Sequence, residues 1–188
     1  MNPLFAEYQP GDAGIPRPVN VRGLVRANLD ECVALTVQRE GGDAAAWRSS
    51  LERGLGADDL MTFVAVLDGR VAGYGTAGWF APSTLVPGSI SPDGWYLLGL
   101  VVDPLVRRRG VGRELTQARL SWLHTRTDRV WYFVSRANLA SIDLHAELGF
   151  HLVANNIDVP GVAFTATGQL YSADLRGRTA LAACRSGP

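Results

Sequence analysis

The residues best suited to chemistry lie in the stretch LLGLVVDPLVRRRGVGRELTQARLSWL, positions 97–123. Arg107, Arg108 and Arg109 stand directly before Gly110, Val111 and Gly112. An apolar run ends in front of them at Asp103-Pro104, and a helical pattern starts behind them. Such a turn can hold an anion. Glycines let a ligand approach the backbone and expose amide N–H groups. The start of a helix adds unpaired donors and the positive end of its dipole. Arginine side chains hold phosphate oxygens from outside. A diphosphate suits this donor set.

The charge distribution points the same way. The chain has 188 residues with 18 basic and 18 acidic side chains, a formal net charge of zero. Residues 1–106 hold 7 Arg against 12 acids, residues 107–136 hold 8 Arg against 2, and residues 137–188 hold 3 against 4. The middle segment is therefore strongly cationic and calls for an anionic partner. The overall balance argues against a nucleic-acid binder, whose footprint is a basic excess. All 18 basic residues are Arg. Without Lys there is no Schiff-base nucleophile and no phosphate-binding P-loop. A Rossmann fingerprint needs a third glycine three residues after Gly112, where Leu115 stands. No metal-ligand set is assigned.

These residues need elements to position them. Val19 to Leu24 alternates apolar and polar as a first strand. Asn28 with Glu31 suggests a capping box, opening a helix to about Arg39 that Gly41-Gly42 ends. Asp43 caps a second helix carrying Trp47, Leu51 and Leu55. Met61 to Leu67 and Arg70 to Phe80 form a hairpin about Asp68-Gly69. Residues 81–94 are a loop, and Trp95 to Val102 is a strand buried on both faces. The helix from Gly110 to about Thr125 should bury Val111, Leu115, Ala118 and Trp122. Arg129–Ser135 is a strand and Leu139–Leu148 a helix stopped by Gly149. Phe150–Ile157 and Phe164–Leu175 complete the sheet.

The order is β-α-α-β-β-β-α-β-α-β-β, a mixed α/β domain over residues 19–175. Residues 1–18, with four prolines, read as a flexible arm, and 176–188 as a C-terminal tail. No apolar run approaches the ~20 residues of a membrane helix. The N-terminus lacks the basic and apolar regions of a secretory signal. Cys32 and Cys184 lie too far apart in sequence to suggest a disulfide. A cytoplasmic setting is expected.

The segment Arg107-Arg108-Arg109-Gly110-Val111-Gly112 resembles the signature of the GNAT superfamily of acyl-CoA N-acyltransferases, and the element order resembles that family throughout 19–175. The resemblance implies a mostly antiparallel central sheet flanked by helices, and acetyl-CoA as co-substrate. It implies that Leu100, Val101 and Val102 pair with the pantetheine arm through their backbone, like an added strand. The amides from Arg108 to Arg113, Val111 included, would cradle the pyrophosphate. The Val102 N–H could polarise the thioester carbonyl. Residues 138–150 are similar to a second family signature, matched by Asn138, Ser141, Leu144, Gly149 and Phe150. Asn138 is an N-cap by itself, and by resemblance a pantetheine contact. His145 stands where the family often has a Tyr that protonates the departing thiolate. An ordinary His could do so too, or simply hydrogen-bond within its helix. The Ser-Ile-x-Leu-His run is also similar to acetyltransferases of the phosphinothricin type.

By the same resemblance the acceptor binds opposite the pyrophosphate, near Glu40 to Asp43, the 80–94 loop and Asp158 to Gly161. Glu40 and Asp93 are the candidate bases, and Tyr96 a candidate wall residue among Trp79, Phe80 and Trp95. The expected reaction is N-acetylation of a small primary amine, such as an amino-acid analogue, antibiotic or polyamine. A protein acceptor and a non-catalytic acyl-CoA-binding module are the alternatives. A homodimer through the late strands follows from the resemblance as well.

Overall fold

The computed structural model describes residues 18–85, 90–159 and 161–176. The expected arm and tail therefore lie outside the described residues, apart from Pro18 and Arg176. The elements run β1 (Asn20–Gly23), α1 (Leu29–Glu40), α2 (Ala44–Arg53), β2 (Leu60–Leu67), β3 (Arg70–Phe80) and β4 (Gly94–Val102). They continue with α3 (Val111–His124), β5 (Arg129–Ser135), α4 (Leu139–Glu147), β6 (His151–Ile157) and β7 (Gly168–Asp174). The expected order is the observed one. Seven strands form one sheet in the order β1-β2-β3-β4-β5-β7-β6. Neighbours are antiparallel except β4 and β5.

Local chemistry explains several boundaries. Asp68 and Gly69 turn the β2–β3 hairpin at φ 50° and 78°, as a tight hairpin of this twist requires. The Asp43 carboxylate accepts from the Ala46 N–H at 2.9 Å and starts α2. The capping box expected at Asn28 does not form. Asn28 Oδ1 accepts from Arg22 Nη1 at 2.8 Å, and the Glu31 carboxylate accepts from the Val71 N–H at 3.0 Å. Tertiary partners took both side chains, so α1 begins without a side-chain cap.

Helices cover both faces of the sheet. Leu29, Cys32 and Val33 of α1 and Leu51 of α2 pack on Val64, Val71, Tyr74 and Val101. On the other face, Val111 and Leu115 of α3 pack on Ala65, Leu67 and Ala72. The last turns of α3 reach a second cluster on the same sheet, where Leu120 and Leu123 join Leu97, Val130, Tyr132 and Phe150. This corrects the expected stripe. Ala118 and Trp122 are only half-buried, while Thr116, Arg119, Leu120 and Leu123 are buried. The helix crosses the one sheet from β2 and β3 to β4 and β5, so a single 4-3-4 spacing does not hold along its length. Trp122 packs instead edge-on against Trp95, 5.6 Å between centroids.

Candidate functional site

The cationic turn is built as an anion cradle. Pro104 ends β4, and Asp103 closes the corner by accepting from the Leu105 N–H at 2.9 Å. Arg108 and Gly110 both take left-handed backbone, φ 64° and 84°. Gly110 suits that geometry, whereas Arg108 holds it at a cost. The first helical bond of α3 runs from the Glu114 N–H to the Gly110 carbonyl. No side chain caps the helix. The N–H groups of Val111, Gly112 and Arg113 thus have no intrahelical acceptor. Arg107 is half-buried, and desolvation, with Arg39 nearby, lowers its guanidinium below the ordinary value. Arg113 forms an ion pair with Glu147 of α4.

Next to the turn, the sheet opens. β4 and β5 pair at Tyr96–Trp131. From Leu97 to Val102, β4 is laddered to β3 and not to β5. A bulge marks the parting, because Thr76 opposes Leu98 while Gly75 opposes Leu100, leaving Gly99 over. Leu100, Val101 and Val102 therefore lie on the stretch of β4 that β5 has left. An extended chain with amides could pair there. Gly112 faces Leu144 of α4 and Leu100 and Val102 of β4, all within 4 Å of where a Cβ would sit. The turn, the β4 edge and α4 converge at this point.

α4 begins at Asn138, whose Oδ1 accepts from the Ser141 N–H at 3.2 Å. His145 is 3% exposed, and its ring stacks on Tyr132 at 4.0 Å and 14°. Burial, with the Arg119 cation nearby, pushes its pKa down to about 3. At neutral pH the ring is therefore uncharged. Its Nδ1 lies 2.7 Å from the Ser141 carbonyl oxygen, which can only accept. The single proton sits on Nδ1 and Nε2 carries a lone pair.

On the α1 face, Arg39 donates to the Leu100 carbonyl and pairs with Glu40. Thr36 and Tyr74 share a 2.6 Å hydrogen bond close by. Through Arg39, Glu40 is linked to the β4 backbone. Asp93 accepts from the backbone N–H of Ser83 at 3.0 Å and from its hydroxyl, and both bonds hold its carboxyl below the usual range. It clasps the loop. Tyr96 corrects an expectation. It is fully buried, donates to the Pro92 carbonyl at 2.6 Å and packs on Phe80 and Phe133. Its ring has no free face with which to line an acceptor cavity.

Three residues escaped the sequence reading. Arg39 sits at the end of a helix whose pattern looked amphipathic and complete. Arg119 sits among the apolar positions of α3 and reads as a solvated charge. The Tyr132 hydroxyl is buried beside Ser141, and burial pushes it above the ordinary phenol value. For Arg119 the signal was its position between Leu115 and Leu123, on the inward side of the helix.

This arrangement of strand, left-handed turn, uncapped helix and parted sheet is an acyl-CoA-transferase scaffold. The chain belongs to the GNAT acetyltransferase family, whose sequence profile matches residues 28–150 and whose members use acetyl-CoA. It is 37% identical over 95 residues to a mycothiol acetyltransferase from Thermobispora bispora. That match covers 50% of this chain and 30% of the relative, so the matched segment spans under a third of that protein's length. The fold superposes on the ribosomal-protein-S18-alanine N-acetyltransferase from Escherichia coli with a TM-score of 0.61, at 18% identity over 84% of this chain and 94% of that one. It superposes on Arabidopsis thaliana NAA60 in complex with acetyl-CoA with a TM-score of 0.63, at 18% identity over 85% of this chain and all of that one.

Proposed function

We propose that the domain over residues 19–175 transfers an acetyl group from acetyl-CoA to the primary amine of a small molecule. One observation carries this reading: the open edge of β4 runs directly into a left-handed turn and an uncapped helix N-terminus. That geometry fits the two halves of CoA. The backbone of Val102 and the N–H of Leu100, which alternate away from β3, would take the pantetheine arm, with Asn138 at the helix beside it. Val101 is turned into the ladder with Tyr74, and the Leu100 carbonyl is held by Arg39. Arg107, Arg108, Arg109, Gly110, Val111 and Gly112 would hold the pyrophosphate, and Arg113 is shared with Glu147. Bound acetyl-CoA supplies a thioester whose carbonyl the Val102 N–H would polarise. The acceptor would enter from the α1 face, where Glu40, paired with Arg39, and Asp93, engaged by Ser83, are the candidates to take a proton. His145 holds no donatable proton on Nε2 at neutral pH, so its part is to shape the cleft beside Tyr132.

A small acceptor is supported by the likeness to mycothiol acetyltransferases. A protein N-terminus is the second reading, favoured by the likeness to the S18-alanine enzyme. Leu152 and Val153, 43% and 48% exposed on the edge strand β6, would suit a homodimer. A cytoplasmic setting fits the reduced, buried Cys32. No helix among the described residues is long and apolar enough to cross a membrane. The test is thiol release from acetyl-CoA over a panel of small amines and N-terminal peptides. Release with a small amine supports the proposal. Release with peptides alone selects the second reading, and tight binding without release would make the chain a non-catalytic acyl-CoA module.

A further inference from the structure

Arg119 is the largest fully buried side chain among the described residues, 1% exposed. It lies on the inner face of α3, above the place where β3 and β4 slip register. Its Nη1 donates to the Leu98 carbonyl at 3.0 Å and to the Thr76 carbonyl at 3.3 Å. Its Nη2 donates to Thr116 Oγ1 at 2.8 Å and its Nε to the Leu115 carbonyl at 3.3 Å. Thr76 and Leu98 are the pair next to the unpaired Gly99. One guanidinium therefore clips both strands at the bulge. Gly75 makes room for it, since a Cβ there would come within 3.0 Å of Nε.

A cation in this position is costly. Desolvation lowers it to about 9, and no carboxylate among the described residues opposes that shift. Every hydrogen bond named above goes to a neutral oxygen. A leucine would fill the space on α3 without that cost. What the arginine adds is a rigid fork that can hold two carbonyls from different strands at once. Those carbonyls fix the bulge, and beyond the bulge β4 is free of β5.

We propose that Arg119 is a positioning residue, which holds the β4 bulge through Leu98 and Thr76 and thereby keeps open the backbone edge that receives the pantetheine arm. The proposal rests on the placement of acetyl-CoA argued above. It separates the two halves of the ligand: the pyrophosphate turn lies outside the bulge, while the arm depends on it.

The experiment compares acetyl-CoA with ADP, which carries the diphosphate and lacks the arm, by titration calorimetry. In Arg119→Met the acetyl-CoA Kd should rise about tenfold, the scale of one or two lost hydrogen bonds. The ADP Kd should stay within about twofold, because the turn keeps its own donors. Arg119→Lys, which keeps the charge and can reach one carbonyl, should recover part of the loss and carries the comparison if the Met variant does not fold. Equal losses for both ligands, or no loss for either, would overturn the proposal. If the wild-type protein binds acetyl-CoA no better than ADP, the placement of the arm fails as well. A variant that loses only acetyl-CoA affinity supports both.

Discussion

The Nδ1–H of His145 donates to the Ser141 carbonyl across 2.7 Å, one turn back along α4. The same ring is stacked on Tyr132 and nearly sealed from water. These two contacts decide what the imidazole can do. Its one proton is committed to the backbone, and a second is opposed by burial and by Arg119. A side chain that stands where a proton donor would serve is held as a neutral, proton-poor ring.

The pH dependence follows from the sign of that shift. The folded-state pKa falls from the ordinary 6.5 to about 3. Above pH 6.5 both folded and unfolded states hold a neutral ring. Between about 6.5 and 3 the unfolded chain takes a proton that the fold refuses, so stability is lost as pH falls. The melting temperature of the wild-type protein should drop between pH 7.5 and 5, and His145→Phe should reduce that drop. Turnover above pH 5 should show no step that His145→Phe abolishes. A step near 6.5 that disappears in the variant would return the proton-donor role to His145.

Gly110 stands at φ 84° immediately before the uncapped start of α3. A β-branched residue is strained there by about 1–3 kcal/mol. Gly110→Val should lower stability by that amount and weaken ADP binding by more than about tenfold, because the amides leave their cradle. Gly56→Val is the control. It sits at φ 82° after α2, beside Trp122 and Arg126 at the opposite end of α3 from the turn, so it should cost stability alone. Equal losses of ADP affinity in the two variants would remove the turn from the anion site.

Much of this was legible in the sequence because the signals were local. Asp68-Gly69, Asp43 and Pro104 each act on their own neighbourhood, and each did what its type dictates. Asn28 and Glu31 show where that ends. Their spacing satisfied a capping pattern, yet Arg22 and the Val71 N–H, 40 positions from Glu31, took them. Arg119 fails the local reading for the same reason, since its acceptors lie on β3 and β4. The cofactor turn is contiguous and could be read directly. The acceptor side is assembled from α1, β3 and the 81–94 loop, and Tyr96 and Asp93 turned out to serve packing and loop closure there.

Arg113 is divided between two demands. It begins α3 beside the proposed phosphates, yet it pairs with Glu147, and the two side chains are 43% and 57% exposed. An exposed pair of this kind adds under about 1 kcal/mol to stability. Glu147→Gln should therefore leave the melting temperature nearly unchanged. It should tighten ADP binding several-fold at low salt by removing a carboxylate from beside the site and releasing Arg113. The gain should shrink as ionic strength rises, because exposed charges are screened. An ADP affinity that does not change at low salt would place Arg113 outside the cradle.

Cys32 lies fully buried on α1, among Leu29, Val33, Val64 and Val101. Burial first, and the neighbouring Glu31 second, push its thiol up to about 12. Only the thiolate attacks disulfide reagents, and this thiol is neither ionised near pH 8 nor reachable. Titration with an aromatic disulfide should leave it unmodified in the native protein and count one additional thiol after denaturation. Cys32→Ala should remove that late-reacting thiol at a modest stability cost. Cys32→Ser should cost more, about 1–3 kcal/mol, because it buries a hydroxyl in an apolar cluster. Rapid labelling in the native state would mean that α1 opens from the sheet far more readily than its packing implies.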